Sequence, residues 1–376
     1  MPRLAAEKAE RQYDTRGAYA VSGPAFPALL AYCRGGFEAE CAGELAAAAA
    51  ACAMRGEADA PAGSARVLLR LGTAARADAL DAAFRLRDLV FARQVVFVAA
   101  HVERMPAGDR VAPLLQAAAA AGAPFSAVWL ETADTNEAKQ LSALCRGLAP
   151  LLEQELAARR LLAPGRPDRP RLHVFLVSGT EALVGISLPD SGSDWPMGIP
   201  RLRLPREAPS RSTLKLAEAL FTLLTERERE LWLKPGMRVI DLGAAPGGWS
   251  WQMASRGLRV TAVDNGRIAP AVMETGLVDH LRADGFTFRP RGRVDWLLCD
   301  MVAQPSRIAA LVGEWAGAGR CRQAIFNLKL PMKKRLEELE RCRALIRRPL
   351  AGRPADLRLK QLYHDREEVT GFLRAG

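Results

Sequence analysis

No two cysteines of this chain stand in a CxxC pair, and none of the seven (Cys33, Cys41, Cys52, Cys145, Cys299, Cys321, Cys342) has a cysteine or histidine neighbour at a zinc-binding spacing. A metal site is therefore not expected. An odd, scattered set of thiols fits a reduced, cytoplasmic protein. The sequence also lacks any stretch of 18 uncharged apolar residues, which excludes a membrane-spanning helix. Its first thirty residues carry charges at Arg3, Glu7, Lys8, Glu10, Arg11, Asp14 and Arg16 ahead of a short apolar run, unlike a secretory signal. Two catalytic signatures are missing as well. There is no [DNS]PP[YFW] clamp of the kind that grips a flipped base for amino-group methylation. There is also no cysteine motif suited to covalent attack on C6 of a pyrimidine.

What is present is a 376-residue chain with 49% apolar and 25% charged residues, the balance of a soluble protein of two or three domains. The formal net charge of +11 is unevenly placed. Residues 1–200 hold 21 Lys and Arg against 22 Asp and Glu, whereas residues 201–376 hold 32 against 20. An acidic partner such as RNA would thus be met mainly by the second half. An arginine-rich coding bias is an alternative source of part of that excess.

Residues 1–27 read as a loose extension. From there LLAYC predicts a strand, Gly35-Gly36 a turn and 37–54 a helix; Ala-rich runs are structural helix formers. Strands are expected at 67–71, 95–100, 126–131, 173–177 and 182–188, with helices at 77–85, 109–122 and 138–157. This is an α/β region over 28–195, perhaps of two subdomains, without a catalytic constellation. The Ser-, Gly- and Pro-rich stretch 190–208 marks a boundary, placing a second domain at 196–376. There an amphipathic helix (214–224) precedes strands at 238–242, 259–263, 294–299 and 323–328 and a helix at 248–256. Such alternation predicts a doubly wound, mostly parallel sheet.

Within that domain, RVIDLGAAPGGWSWQMASRGLRVTAVDNG runs from an apolar strand through a small-residue turn (Gly243, Ala244, Ala245, Pro246, Gly247, Gly248) into a helix. Glycines allow the sharp turn and close approach to a ligand. Asp264 ends the next strand, where a carboxylate can accept both hydroxyls of an adenosine ribose. The loop departs from GxGxxG and looks like the methionine-cofactor motif of Rossmann-like methyltransferases. Asp284, in LRADGFTF, stands where such folds place an acid near the adenine; a loop-capping role is the alternative. Asp300 ends the apolar strand VDWLLCD, and Lys329 ends IFNLK. Glu368 opens a final strand, and Lys215 lies ahead of the sheet. Cys299 faces away from Asp300 by strand alternation and reads as packing. Lys333, Lys334, Arg335, Arg341, Arg343, Arg347 and Arg348 would either hold phosphates or form a solvated helix face.

The Lys215, Asp300, Lys329, Glu368 set beside DLGAAPGGW resembles that of the FtsJ-type ribose 2′-O-methyltransferases. SRSTLKL, AVDNG, DGFTFRP, CDMV, IFNLKLPMKKR and QLYHDREEVT, with CRGGFEAECAGEL, ADTNEAKQLSALCR and MGIPRL before them, extend the likeness over about 28–372. Within those enzymes the chain is similar to the ribosomal RNA large subunit methyltransferase M family. The resemblance implies a THUMP-containing, RNA-binding N-terminal region, a Rossmann-like catalytic domain and S-adenosylmethionine as cofactor. It implies a cytidine of 23S ribosomal RNA as target, met before the subunit is fully assembled. It puts cofactor contacts on Ser212, Ala245, Pro246, Gly247, Gly248, Asp264, Asp284 and Asp300, and the base on Lys329. Glu367 adjoins Glu368, and Glu368 is preferred because Val369 follows it as in related final strands. Ala245 stands where the family often has Cys.

A neutral lysine amine can take the hydroxyl proton, yet free lysine titrates near 10.4. Lys215 and a sulfonium would disfavour its charge, while Asp300 and Glu368 push the other way. Two rivals remain at this point: an RNA-binding assembly factor that keeps the fold, and a methyltransferase for a non-RNA substrate. A monomer is expected, since no exposed seam is evident.

Overall fold

A computed structural model describes residues 23–122, 124–189 and 191–376. The expected extension lies outside the described residues as far as residue 22, and its last three positions belong to the first strand, β1 (Ala25–Tyr32). The chain divides into two units. One takes in the residues up to Leu86 with Ala92–Gly198, and the other Arg87–Phe91 with Ile199–Gly376.

The first unit is a single seven-stranded sheet. Its strands are β1, β2 (Gly56–Asp59), β3 (Arg66–Arg76), β4 (Gln94–Val102), β5 (Val128–Thr132), β6 (Arg171–Ser178) and β7 (Glu181–Ser187), in the order β2-β3-β1-β4-β7-β6-β5. The antiparallel pairing of β4 with β7 makes one continuous sheet of what reads in sequence as two subdomains. Helices α1 (Glu38–Ala51), α2 (Ala77–Ala83), α3 (Val111–Ala120) and α4 (Ser142–Ala158) accompany it. Fully buried Glu131 is satisfied by the Tyr32 hydroxyl (2.8 Å), His173 Nδ1 (2.7 Å) and the Met197 backbone amide. Met197 and Gly198 both have positive φ, and a Cβ on Gly198 would lie 2.3 Å from the Arg93 carbonyl oxygen. The MGIP sequence thus forms an enforced turn rather than a loose linker.

The second unit begins with α5 (Ser212–Leu223) and α6 (Glu226–Trp232), the latter started by a capping box between Thr225 and Glu228. Then come β8 (Arg238–Leu242), α7 (Gly248–Ala254), β9 (Arg259–Val263), α8 (Pro270–Met273), β10 (Val278–Leu281) and β11 (Val294–Cys299). α9 (Pro305–Gly317), β12 (Cys321–Lys329), α10 (Arg335–Arg347), β13 (Ala355–Lys360) and β14 (Glu368–Ala375) complete it. The sheet order is β10-β9-β8-β11-β12-β14-β13. Pairs from β10 to β12 are parallel; β14 runs antiparallel to both β12 and β13. This is the expected doubly wound, mostly parallel arrangement, with an antiparallel hairpin at one side.

Side chains alternate between sheet faces, so the residues that pack beneath α5 fix which others share its face. Leu216, Ala219, Leu220 and Leu223 of α5 join Trp249 and Met253 of α7 in one core with Val239, Val260, Ala262, Trp296, Leu298, Ile325 and Phe372. Counting by twos from these residues places Asp241, Asp264, Asp300, Asn327, Lys329, Glu368 and Thr370 on the same face. Burying a leucine or phenylalanine in such a core contributes about 1.5–3 kcal/mol each. The packing that holds α5 down therefore also fixes the register of every polar residue at that edge.

Candidate active site

Four of these polar residues, Asp264, Asp300, Lys329 and Glu368, stand at the carboxyl edge of the parallel strands, where ligands bind in α/β sheets. Asp300 follows β11, Lys329 ends β12, and Glu368 opens β14 opposite Lys329 in the antiparallel register. Lys215 comes from the first turn of α5. The side chains of Lys215, Asp300, Lys329 and Glu368 meet. Lys329 Nζ lies 3.3 Å from Asp300 Oδ1 and 3.1 Å from Glu368 Oε2, while Lys215 Nζ lies 2.6 Å from Glu368 Oε1 and 3.6 Å from Asp300 Oδ2. Two cations and two anions thus alternate around a closed ring.

The two lysines differ. Lys215 has a side chain 10% exposed and is held by the shortest contact, whereas Lys329 is 32% exposed and held by longer ones. Desolvation pulls the Lys329 pKa down, but the charges and hydrogen bonds of Asp300 and Glu368 outweigh it and leave the ammonium favoured. Burial acts to raise the Glu368 pKa, and the two lysines more than reverse that. Glu367, by contrast, points away, is 59% exposed and pairs with Arg335 at 2.7 Å.

The small-residue turn opens at the same edge. Gly243 (φ 77°) and Gly247 (φ 110°) take left-handed conformations, and a Cβ on Gly247 would come within 2.8 Å of Val272. At Gly248 a Cβ would lie 2.2 Å from Ser212 Oγ, so the start of α5 abuts the start of α7; Thr213 Oγ1 also donates to the Gly248 carbonyl at 3.3 Å. Asp264 accepts from the amides of Ala245 (3.0 Å) and Gly266 (2.6 Å), which aims its carboxylate at the turn. The Pro246 carbonyl accepts from the Ala269 amide at 2.9 Å. Asp284 is exposed and caps its own loop through the Phe286 amide at 2.9 Å. The loop-capping reading of Asp284 is thus seen directly, and the side chain stays exposed.

Two neighbours, Asp241 and Met301, were given no role by the sequence. Asp241 is buried with one oxygen on Ser250 Oγ (2.7 Å) and the other without a hydrogen bond. Burial, chiefly, raises its pKa to about 7, Ser250 opposing and Asp300 and Asp264 assisting. Met301 is wedged where a Cβ on Gly243 or Gly285 would strike it at 2.6–2.7 Å. Cys299 is fully buried and burial pushes its thiol up to about 12, so it is an inert packing residue. Among the basic residues that follow, Lys334 pairs with Glu337, Arg341 with Glu338 and Arg343 with Glu340. With Arg335 also engaged, those four charges serve the helix face and its surroundings.

Comparison with known proteins agrees with this arrangement. Family models match residues 26–96 (RlmM ferredoxin-like domain), 109–188 (Ribosomal RNA large subunit methyltransferase M, N-terminal) and 208–316 (FtsJ-like methyltransferase). The ribosomal RNA large subunit methyltransferase M proteins of Azoarcus sp. (strain BH72) and Aromatoleum aromaticum are 52% and 53% identical to the chain over 346 residues. Those alignments cover 92% of this chain and 95% and 94% of the relatives. That of Methylococcus capsulatus is 52% identical over 348 residues, with 92% and 97% covered.

The chain belongs to the ribosomal RNA large subunit methyltransferase M family. As a member it is a ribosomal RNA methyltransferase, and the rival reading of a non-RNA substrate falls away. The ferredoxin-like and N-terminal family matches fall on the two halves of the continuous first sheet. The FtsJ-like match takes in Lys215, the glycine turn, Asp264, Asp284 and Asp300. Lys329 and Glu368 lie beyond it, and it is the sheet register that brings them in. No helix among the described residues of this family member is long and apolar enough to cross a membrane.

Proposed function

We propose that the enzyme uses S-adenosylmethionine to methylate the 2′-hydroxyl of a cytidine ribose in 23S ribosomal RNA, in the cytoplasm and before the large subunit is fully assembled. The observation that carries this reading is the Lys329 amine, held between Asp300 and Glu368 at the edge where the glycine turn also opens. The residues present fit the cofactor. Asp264 and Asp284 suit a ribose diol and an adenine amino group, and the Ala245–Gly248 turn with Ser212 suits the cofactor's main body. When bound, S-adenosylmethionine supplies an electrophilic methyl group on a positively charged sulfur.

Lys329 accepts the proton of the ribose hydroxyl. It suits this better than Lys215 because it is more exposed and more loosely held, so it can shed its own proton to solvent first. Lys215 stays paired, neutralises the carboxylates and disfavours a second ammonium beside it. Asp300 and Glu368 fix the direction of the Lys329 amine, which serves the alignment demanded by an in-line transfer. Amino-group methylation is disfavoured because Met301 and Val302 stand where a base clamp would be, and covalent attack by Cys299 because its thiol is buried on the other face.

RNA would enter past Val302 and Met332, which are 89% and 87% exposed on the loops after β11 and β12 and offer apolar contact to bases. Of the seven basic residues between 333 and 348, Lys333, Arg347 and Arg348 are left for phosphates, the other four being engaged with glutamates. The N-terminal unit would select the RNA.

The test is transfer of a labelled methyl group to protein-free 23S RNA, followed by alkaline hydrolysis. A 2′-O-methyl group blocks cleavage on its 3′ side, so the label should appear in one alkali-resistant dinucleotide beginning with C. Label released as a mononucleotide, or carried on a base, would overturn the ribose assignment.

A further inference from the structure

A second set of polar residues, all buried, stands directly behind the tetrad. Asn327 and Thr370 face each other across β12 and β14, one step inward from the Lys329–Glu368 pair. Asn327 Nδ2 donates to Asp300 Oδ1 at 2.8 Å, on the oxygen that also receives Lys329. Thr370 Oγ1 lies 2.7 Å from Asn327 Oδ1 and 3.1 and 3.0 Å from the two oxygens of Asp365. Asn327 and Thr370 are fully buried and Asp365 is 1% exposed, so each polar atom needs a partner inside the protein.

Counting protons gives the chain a direction. An amide oxygen only accepts, so the single Thr370 hydroxyl proton goes to Asn327. The Thr370 oxygen must then receive from Asp365, which a carboxylate cannot do and a carboxylic acid can. Asp365 Oδ2 already accepts from the Leu362 amide at 3.0 Å, which leaves the proton on Oδ1. The opposite direction would set the Asn327 carbonyl oxygen against Asp300 Oδ1, two acceptors face to face. The loop that carries Asp365 is clamped from α5, where Glu218 accepts from the amides of Tyr363 (2.7 Å) and His364 (2.9 Å) and from His364 Nδ1 (2.6 Å).

We propose that Asp365 and Thr370 are positioning residues that lock the Asn327 amide as a donor to Asp300, and so limit how strongly Asp300 retains the proton of Lys329. The proposal rests on the reading of Lys329 as the base. Burial of Asp365 favours the acid form, Glu368 and Glu218 assist, and the Leu362 amide and Lys215 oppose. The charged groups facing Lys329 are Asp300 from the end of β11 and Glu368 from β14, with Lys215 of α5 across the ring. Removing the Asn327 donor leaves the shared Asp300 oxygen to Lys329 alone and tightens its hold on the ammonium. The base then becomes available only at higher pH.

The experiment is the pH profile of kcat, with KM for RNA and for cofactor measured alongside, in Thr370→Val, Thr370→Ser, Asp365→Ala and Asp365→Asn. Thr370→Val and Asp365→Ala should move the rise of kcat to higher pH by about one unit, a tenfold loss on the rising limb, with both KM values unchanged. Thr370→Ser should restore the profile. Asp365→Asn should restore it too, because its amide nitrogen can donate to Thr370 while its oxygen accepts from Leu362. If Thr370→Val does not fold, the two Asp365 variants decide. A folded Thr370→Val enzyme with the wild-type profile would overturn the proposal. So would an Asp365→Asn profile moved to lower pH, the mark of an ionised Asp365. A wild-type kcat that does not rise with pH would instead refute Lys329 as base, a separate failure.

Discussion

Replacing Lys329 by Arg separates its charge from its chemistry. The ring of two cations and two anions keeps its balance, because guanidinium is positive and reaches carboxylates readily. What is lost is the ability to become neutral, since Arg is not deprotonated in proteins. The magnitude follows from the ring. Free lysine is neutral about once in 2,500 molecules at pH 7, and Asp300 and Glu368 push Lys329 further toward the ammonium. The wild-type rate should therefore climb about tenfold per pH unit across the neutral range. The Arg enzyme should lose that slope and fall by about 10²–10⁴, equivalent to about 3–5 kcal/mol of barrier. Single-turnover methyl transfer to 23S RNA between pH 6 and 9 reads both quantities, and calorimetry with the cofactor should show binding retained, as it should for Lys329→Ala. An Arg enzyme within tenfold of wild type at pH 7.5 would remove Lys329 as the base.

Two further outcomes follow from the acids at the strand ends. Asp264→Ala should weaken cofactor binding about 10–100-fold, the loss of one or two hydrogen bonds to a charged group, while leaving RNA binding measured without cofactor intact; equal cofactor affinity in titration calorimetry would contradict its assignment. Asp241 keeps its proton to about pH 7 when folded but only to about pH 3.9 when unfolded. Its contribution to stability is thus full below about pH 4 and is lost as pH rises to 7. Asp241→Asn cannot ionise, so its unfolding free energy from denaturant titration should gain on wild type through that window and stop gaining above it, by on the order of 4 kcal/mol at most. A difference that stays flat with pH would show that Asp241 titrates normally.

Much of the second unit was legible because its strands are short, apolar and end in single charged residues. Asp264, Asp300 and Lys329 stand out as charges terminating apolar runs, and alternation alone put Cys299 on the far face. Register, however, is not written in composition. Glu368 is preferred to Glu367 only by likeness to related final strands until β14 is aligned with β12, and Asn327, Thr370 and Asp365 are unremarkable polar residues until that alignment stacks them. The edge strands β2 and β13 also escaped notice. β2 is Gly-Glu-Ala-Asp and β13 begins exposed, so backbone pairing rather than side-chain burial defines them. The assignment of Arg87–Phe91 to the second unit had no sequence signal either. Donors from the far end of the chain meet that segment's carbonyls, the Gln361 amide on Val90 O at 2.8 Å and the Lys360 ammonium Nζ on Leu89 O at 2.7 Å.

β14 follows every other element in sequence yet lies inside the sheet, between β12 and β13. During synthesis the open flank of β12 must wait for it, with Lys329 facing no carboxylate across that gap. A nascent or prematurely terminated chain therefore has an unfinished sheet. The step that seals its sheet also completes its ring of charges, so, on the proposed role of that ring, a chain cut short before Glu368 should be unable to mark RNA.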